Sequence, residues 1–453
     1  MKLPCKLNFL ILLLLSSCAV KKQIPMRKEI NKINAWSCKN IQNSLYPQQY
    51  PTGMLQNLSL INALEIALKN NQKFLGSLQE IGIKSSDLTQ IGFFSNPKIE
   101  TIFHFPKPGE RTNIEFDAQF AISDLWQVPL RKKVAESELK IKSSDILEKI
   151  LLLKKDVTIS FYTCIFEKMR LRLLQNMVTA LISLEKHLTY RYQFGYATQL
   201  DLHIIQAAVA QYQAKTCAQR GILNTAIYSL QYLLNLSTEQ LCIDIQNTMF
   251  IPPVLSTQDH LLKLALQSHP LILLNEIQIQ KARQTIRYEK SRMIDTVHAG
   301  IAYKREFESS AGVGPYFSFD LPIFNTNYGN IERAKYELEQ AEYEYQNSIN
   351  VIRQSLCSNL AQYCSYYKAI TLYQKDVIPS LKKAIAFAQE QMHLMLIPSP
   401  MVIEVKIKYL NAIEELLHYT QKASMTYAEL EYAIGKPLEA KTNYIQASSC
   451  NNQ

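Results

Sequence analysis

Glycine is scarce in this chain, at 12 of 453 residues. That excludes a loop-rich β architecture and leaves no glycine loop of the kind that cradles a nucleotide phosphate. Also missing, beyond the first twenty or so residues, is any apolar run of the roughly 20 residues that a membrane-spanning helix needs. There is no G-x-S-x-G or H-E-x-x-H arrangement, and no nucleophile–base pairing that would support catalysis. Nine cysteines are present, yet none forms a C-x-x-C pair. With Cys5 and Cys18 assigned to an export leader and its end, the remainder is odd in number and implies neither a complete disulfide framework nor a zinc site. Cys357 and Cys364 read as small buried apolar residues of a helix. His260, His269 and His298 lack ligand spacing. The formal charge of +10 is modest for the length and spread along helical segments, so it reads as solvated faces rather than a nucleic-acid groove. The expectation is a protein with no active site, no cofactor, no metal and no nucleic-acid partner.

What is present begins at the N-terminus. Met1-Lys2 and Lys6 precede the apolar run from Leu7 to Leu15, too short to span a bilayer but suited to a secretory leader. Leu15-Ser16-Ser17-Cys18 resembles a bacterial lipobox, in which the cysteine receives lipid (palmitate among its acyl groups) and becomes the mature N-terminus. Ala19 follows, where an aspartate would resemble an inner-membrane retention signal, so export towards an outer membrane is expected. If such a chain crosses that membrane, it must do so with strands.

Internal similarity organises the rest. ALEIALKNNQ, residues 63–72, is echoed by LKLALQSHP, residues 262–270, and each opens a helix of about thirty residues. Strands follow at 98–105 and 112–122, joined by Pro106-Lys107-Pro108-Gly109-Glu110, and again at 296–307 and 315–321. Ile114, Phe116, Ala118, Phe120 and Ile122 alternate with Glu115, Asp117, Gln119 and Ala121. Val297, Ala299, Ile301 and Tyr303 alternate with His298, Gly300, Ala302 and Lys304.

Each second strand runs straight into helical sequence. SDLWQVPLR, residues 123–131, matches FDLPIFNTN, residues 319–327; Asp124 and Pro129 mark one junction, and Asp320, Pro322 and Gly329 the other. Beyond them apolar residues recur every three or four positions, through Ile146, Ile150, Leu153, Val157, Phe161 and Cys164, and from Ile331 through Tyr367 to Val377. A mean step close to 3.5 keeps a seam facing a partner helix. Long helices are expected over 131–194 and 329–396, each about 90 Å, which is out of scale for a globular core. They break at 194–198 and 397–400 and return as 199–235 and 401–434. The chain thus divides into a leader (1–17), an anchored extended segment (18–57), a first repeat (58–250), a second repeat (251–437) and a tail (438–453).

This combination resembles the TolC-type outer-membrane efflux channels, in particular the lipid-anchored members that serve tripartite pumps. The likeness covers about Leu58 to Pro437 and rests on order and duplication rather than on one motif. Its most specific pieces are Phe319–Phe324 with Gly329–Ala334, and Gly195 with Leu200-Asp201. Gln72 departs from the family by replacing a proline that Pro270 retains, and Leu396 stands at the usual glycine of the second turn. The resemblance implies a mainly α chain that trimerises into a 12-stranded transmembrane β-barrel continuing into a long α-helical coiled-coil periplasmic tunnel. It implies a homotrimer in the outer membrane of a Gram-negative bacterium, embedded in lipid and working with a periplasmic adaptor and an inner-membrane pump. The function implied is passive conduction in efflux or type I secretion, without catalysis. Physics concurs: four strands leave unpaired edges in lipid, whereas twelve can close.

The resemblance also implies a gate at the helix turns. Asp201 falls where the family carries an aspartate. In the second turn Val402 and Val405 occupy positions that are acidic in other members, and Glu404 is the nearest carboxylate. Two gates stay open: a ring of Glu404 carboxylates that attracts cations, or an apolar constriction of Met401, Val402 and Val405. Met392-His393-Leu394-Met395 reads as coiled-coil filling rather than a soft-metal site. Lys304-Arg305-Glu306 fits a membrane–water boundary. The competing architecture is a lipid-anchored periplasmic coiled-coil spacer or adaptor without a pore. It requires one inserted β-domain, whereas a channel requires hairpins from both repeats to present a lipid-compatible face.

Overall fold

The computed structural model describes residues 58–105, 112–236, 253, 255–305, 311–394, 396–397 and 399–438. Cys18, the leader and the anchored segment lie outside the described residues. The elements are α1 (Leu60–Asn70), α2 (Gln72–Ile91), β1 (Lys98–His104), β2 (Asn113–Ala121), α3 (Asp124–Gln193) and α4 (Gln199–Leu234). The second half repeats them as α5 (Gln258–Ser268), α6 (Pro270–Ser291), β3 (Val297–Arg305), β4 (Gly312–Phe319), α7 (Tyr328–Leu372), a π turn (Tyr373–Val377), α8 (Ile378–His393) and α9 (Ser399–Ile434). No helix among the described residues is long and apolar enough to cross a membrane.

Two compact units result. One comprises Glu80–Ser143 and Arg283–Ala334 and holds the sheet. Its strands are antiparallel in the order β1-β2-β3-β4, so each repeat contributes one hairpin and the β2–β3 ladder joins them. β4 begins three residues before the expected start at 315, because Gly312 and Val313 still pair with Lys304 and Tyr303. Gly300 sits against the β2 backbone: a Cβ there would overlap the Ala118 carbonyl oxygen.

The other unit holds residues 58–79, Ser144–Ala282 and the chain from Lys335 onwards. Its core runs through helix seams. Ile146, Val157, Phe161 and Cys164 of α3 are completely buried, as is Leu356 of α7. Leu174, Met177, Leu181 and Leu188 pack with Ile205 and Val209 of α4 and Ile403 of α9. Leu261 and Ala265 of α5 pack with Ile352, Leu356, Ala433 and Ile434. The seam departs from its expected course at Tyr367, which is exposed, while Tyr366 and Tyr373 pack their rings against Tyr419. Cys357 and Cys364 are half-buried rather than buried, and Cys357 Sγ accepts from Gln258 Nε2 at 3.3 Å. The buried thiol is Cys164, which burial pushes up to about 12.

Three expected helices are cut differently. The two thirty-residue helices are each a pair, broken at Asn71 and at His269, both in extended backbone. Each breaking residue caps the helix that follows: Asn71 Oδ1 accepts from Phe74 N at 3.0 Å, and His269 Nδ1 from Leu271 N at 3.2 Å. Pro270 suits a first helical position, where its missing N–H has no partner to lose, and Gln72 fills the same place without it. The helix expected over 329–396 is interrupted by the π turn, which admits one extra residue per turn, and by Pro379 in the first turn of α8. Its counterpart α3 runs unbroken for 70 residues. It starts at Asp124, not 131, because the Ser123 carbonyl already accepts from Trp126 N and Gln127 N. Pro129 therefore lies inside the helix, where it removes the donor that would reach the Leu125 carbonyl.

Candidate functional site

The register divides the sheet into two unlike faces. Residues paired across strands share a face. One face carries Ile99 and Phe103, then Ile114, Phe116, Ala118 and Phe120, then Val297, Ala299, Ile301 and Tyr303, then Val313, Pro315, Phe317 and Phe319. Thr101 and Arg305 are its polar members. The opposite face carries Lys98, Glu100 and His104, then Asn113, Glu115, Asp117 and Gln119, then His298 and Lys304, then Tyr316 and Ser318. Phe317 is 70% exposed and Val313 71%. Burying a side chain of this size is worth about 1.5–3 kcal/mol, so an apolar face of this extent marks an interface. Neither β1 nor β4 has a partner on its outer edge among the described residues.

At one end of the sheet the predicted junction aspartates perform matching tasks. Asp124 is buried, and its Oδ2 accepts from Ser95 N at 2.6 Å, just before β1. Asp320 Oδ2 accepts from Thr296 Oγ1 at 2.6 Å, just before β3. Each carboxylate thus ties the exit of a hairpin to its entry. Pro322 centres a tight turn in which Ile323 N donates to Leu321 O at 2.8 Å; its fixed φ suits that three-residue turn. Gly329 is exposed with open space around its α-carbon. The left-handed residue is Asn327, at φ 58, an Asn role that the run Asn325-Thr326-Asn327 signals. Asn327 Nδ2 donates to Glu289 O and Oε2 at 2.8 and 2.9 Å. Gln127 Nε2 donates to Asp295 O at 2.8 Å. Sequence reading had singled out none of Glu289, Gln127 and Asn327 for these bonds.

The predicted gate residues sit at the turns between α3 and α4 and between α8 and α9. Gly195 (φ 78) ends α3, with Tyr196 N donating to Arg191 O at 2.8 Å. Asp201 closes a capping box: its Oδ2 accepts from Thr198 N and Thr198 Oγ1, both at 2.8 Å, while its own N–H donates to Thr198 Oγ1 at 3.2 Å. In the second turn Leu396 N donates to Gln391 O at 2.9 Å. Leu396 thus makes the same bond in its turn as Tyr196 makes in the first. Glu404 is exposed and pairs with Lys408 at 2.7 Å, and that hydrogen bond holds its carboxyl below the usual range. Val402 is 1% exposed and Val405 half-buried, while Met401 is exposed.

One polar cluster inside the helical unit escaped sequence reading. Glu167 of α3 is buried and accepts from Arg170 Nη1 at 2.8 and 3.0 Å, from Gln219 Nε2 of α4 at 2.6 Å and from Gln421 Nε2 of α9 at 3.0 Å. Arg170 Nη2 also donates to Gln421 Oε1 at 3.3 Å. Arg170 Nε is buried without a hydrogen-bond partner, 4.0 Å from Glu414 Oε1; the bonds that Glu167 accepts link three helices.

No family model matches the sequence. The cobalt-zinc-cadmium resistance protein CzcC of Cupriavidus metallidurans is 20% identical over 329 residues, spanning 72% of this chain and 78% of CzcC. Among proteins of known structure, the outer membrane protein VceC of Vibrio cholerae gives a TM-score of 0.70 at 13% identity, covering 84% of this chain and 97% of VceC. The Campylobacter jejuni outer membrane channel CmeC gives 0.68 at 14% identity, covering 85% of this chain and 87% of CmeC. The chain has the TolC-type channel fold. Both hairpins, one from each repeat, share one sheet. The pore-less spacer requires a single inserted β-domain and does not match this arrangement.

Proposed function

We propose that this chain is the outer-membrane channel of a tripartite efflux or type I secretion system, in a Gram-negative bacterium. It conducts substrates passively and is not an enzyme. The observation that carries this reading is a sheet of two hairpins with one apolar face, one polar face and, among the described residues, two open edges. In lipid, open edges would leave backbone groups unpaired at several kcal/mol each. Three copies joined edge to edge supply twelve strands and close a barrel, with the apolar face to lipid and the polar face to water. A homotrimer follows, with a helical periplasmic tunnel that receives cargo from an adaptor and an inner-membrane pump. Lipid on Cys18 anchors each chain.

The gate belongs to this proposal. Asp201 and Glu404 carry local compensation, by helix capping and by Lys408, and Val402 packs within its own chain. These observations favour a constriction set by Met401 and Val405 over an acidic ring. Purification of the full lipidated protein in detergent, with mass measurement and insertion into planar bilayers, tests the reading. A trimer that opens pores is expected, and a monomer that inserts none would overturn it. Cys18→Ser should abolish labelling by radioactive palmitate.

A further inference from the structure

We infer that Asp117 sets the charge preference of the pore, an inference that rests on the channel reading. The register arranges the polar face of the sheet in rows that cross the strands. One row is Lys98, Gln119, Gly300 and Tyr316. The next is Glu100, Asp117, Ala302 and Gly314. A third is Ile102, Glu115, Lys304 and Gly312. Glu115 is neutralised within its row by Lys304, at 3.4 Å. Glu100 is neutralised by Lys98, at 3.3 Å, two residues along the same strand. Asp117, midway along β2, has no ion-pair or hydrogen-bond partner among the described residues.

Two further features single out this row. Glu100 and Asp117 stand directly opposite each other, a like-charge juxtaposition that destabilises a sheet and that Lys98 relieves on the Glu100 side alone. The row then continues through Ala302 and Gly314, the smallest side chains available, so no bulk screens the carboxylates from the water beside them. The described polar-face residues hold two lysines and three carboxylates, leaving one net negative charge per chain, at Asp117. Three copies place three such charges at one depth of a lumen whose walls have a low dielectric, where the field is focused and cations accumulate. The helix turns contribute less, because Glu404 is held by Lys408 and Asp201 by its capping box.

The test is reversal potential in planar bilayers, with full-length protein across a tenfold KCl gradient from about 10 to 100 mM, where the screening length is about 10–30 Å. The wild type should prefer potassium over chloride several-fold. Asp117→Asn should bring that ratio close to unity. Lys304→Gln, which frees Glu115, should raise it above the wild type. At 1 M KCl, where charges are screened within about 3 Å, all three should conduct equally, showing that the same pore has assembled. A wild-type reversal potential in Asp117→Asn would overturn the inference, as would a shift towards chloride in Lys304→Gln. If Asp117→Asn fails to assemble, Lys304→Gln decides alone. Protein that inserts no pore at all would sink the channel reading itself, a different failure from pores that ignore Asp117.

Discussion

The side-chain amide of Asn71 donates to the carbonyl of Leu233, 2.9 Å away across 162 residues of chain. In the second repeat Ser268 Oγ shares its one proton between the carbonyl of Ile434, also at 2.9 Å, and that of Leu264 at 2.6 Å. Both acceptors lie in the last turn of a return helix, where carbonyls have no partner within the helix. Each repeat therefore pins its broken opening helix to its own closing helix, by different chemistry at the same place. The duplication persists in the bonds even where the residues have diverged.

Asn71 does two things, so its substitutions should separate. Asn71→Ala removes both the cap on Phe74 N and the bond to Leu233, and should cost about 1–3 kcal/mol. Asn71→Asp keeps the capping oxygen and should cost distinctly less. Thermal unfolding by circular dichroism in detergent checks the order; equal losses would mean that the cap contributes nothing.

The Glu167 cluster should respond asymmetrically to truncation. Glu167→Leu removes the close carboxylate of Arg170 and leaves it Gln421 and, at 4.0 Å, Glu414; removing one partner of a buried pair costs about 3–5 kcal/mol. The double change Glu167→Leu with Arg170→Leu should recover much of that loss. Melting temperatures of the two variants decide the matter, and a double variant as weak as the single one would contradict it.

His269 should make the helical unit sensitive to acid. Burial holds its imidazole down to about 4 against an ordinary 6.5, with the Tyr432 ring edge-on at 5.8 Å. The unfolded chain takes up a proton below about 6.5 that the folded chain refuses until about 4. The contribution is present above 6.5, falls as pH drops through that window, and levels off below it; its full size is on the order of 3 kcal/mol. His269→Asn retains an acceptor for Leu271 N and should flatten the melting temperature between pH 7 and pH 4.5.

Gly300→Ala should abolish pore formation. The added methyl group would overlap the Ala118 carbonyl oxygen, and its nearest neighbours are all β2 backbone, with no flexible side-chain end to yield. The β2–β3 ladder must then separate. Gly329→Ala is the matched control, since open space surrounds that residue; it should insert and conduct normally.

Glu404→Gln should leave ion selectivity unchanged, because Lys408 already balances the carboxylate. Met401→Gly should instead raise conductance, by widening the turn. Single-channel recording of both variants distinguishes an apolar constriction from an acidic one.

The sheet was legible because strand periodicity is 2 and one face is apolar, so Ile114 to Phe120 and Val297 to Tyr303 declared their sides unaided. The junctions were legible because they occur twice. The break at Asn71 was hidden, since the helical pattern runs on through Gln72 without a proline or glycine, whereas Pro270 does stand at the break after His269. The Glu167 cluster was out of reach for another reason: its partners lie 52 and 254 residues away, and no local period connects them. The π turn left no sign either, as steps of three and four absorb one extra residue. For the gate, sequence named Asp201 and Glu404 as carboxylates, but only geometry shows Thr198 and Lys408 beside them.

The β2–β3 ladder has a kinetic consequence. A closed ring of six hairpins has six seams, and the three that lie inside chains form between tethered segments, at the high effective concentration that a shared polypeptide provides. The other three, between β4 of one chain and β1 of the next, depend on encounter. Dilution therefore acts on every second seam and spares the rest. Assembly from separated chains should slow steeply with dilution, while each chain keeps its four-stranded sheet ready to be joined.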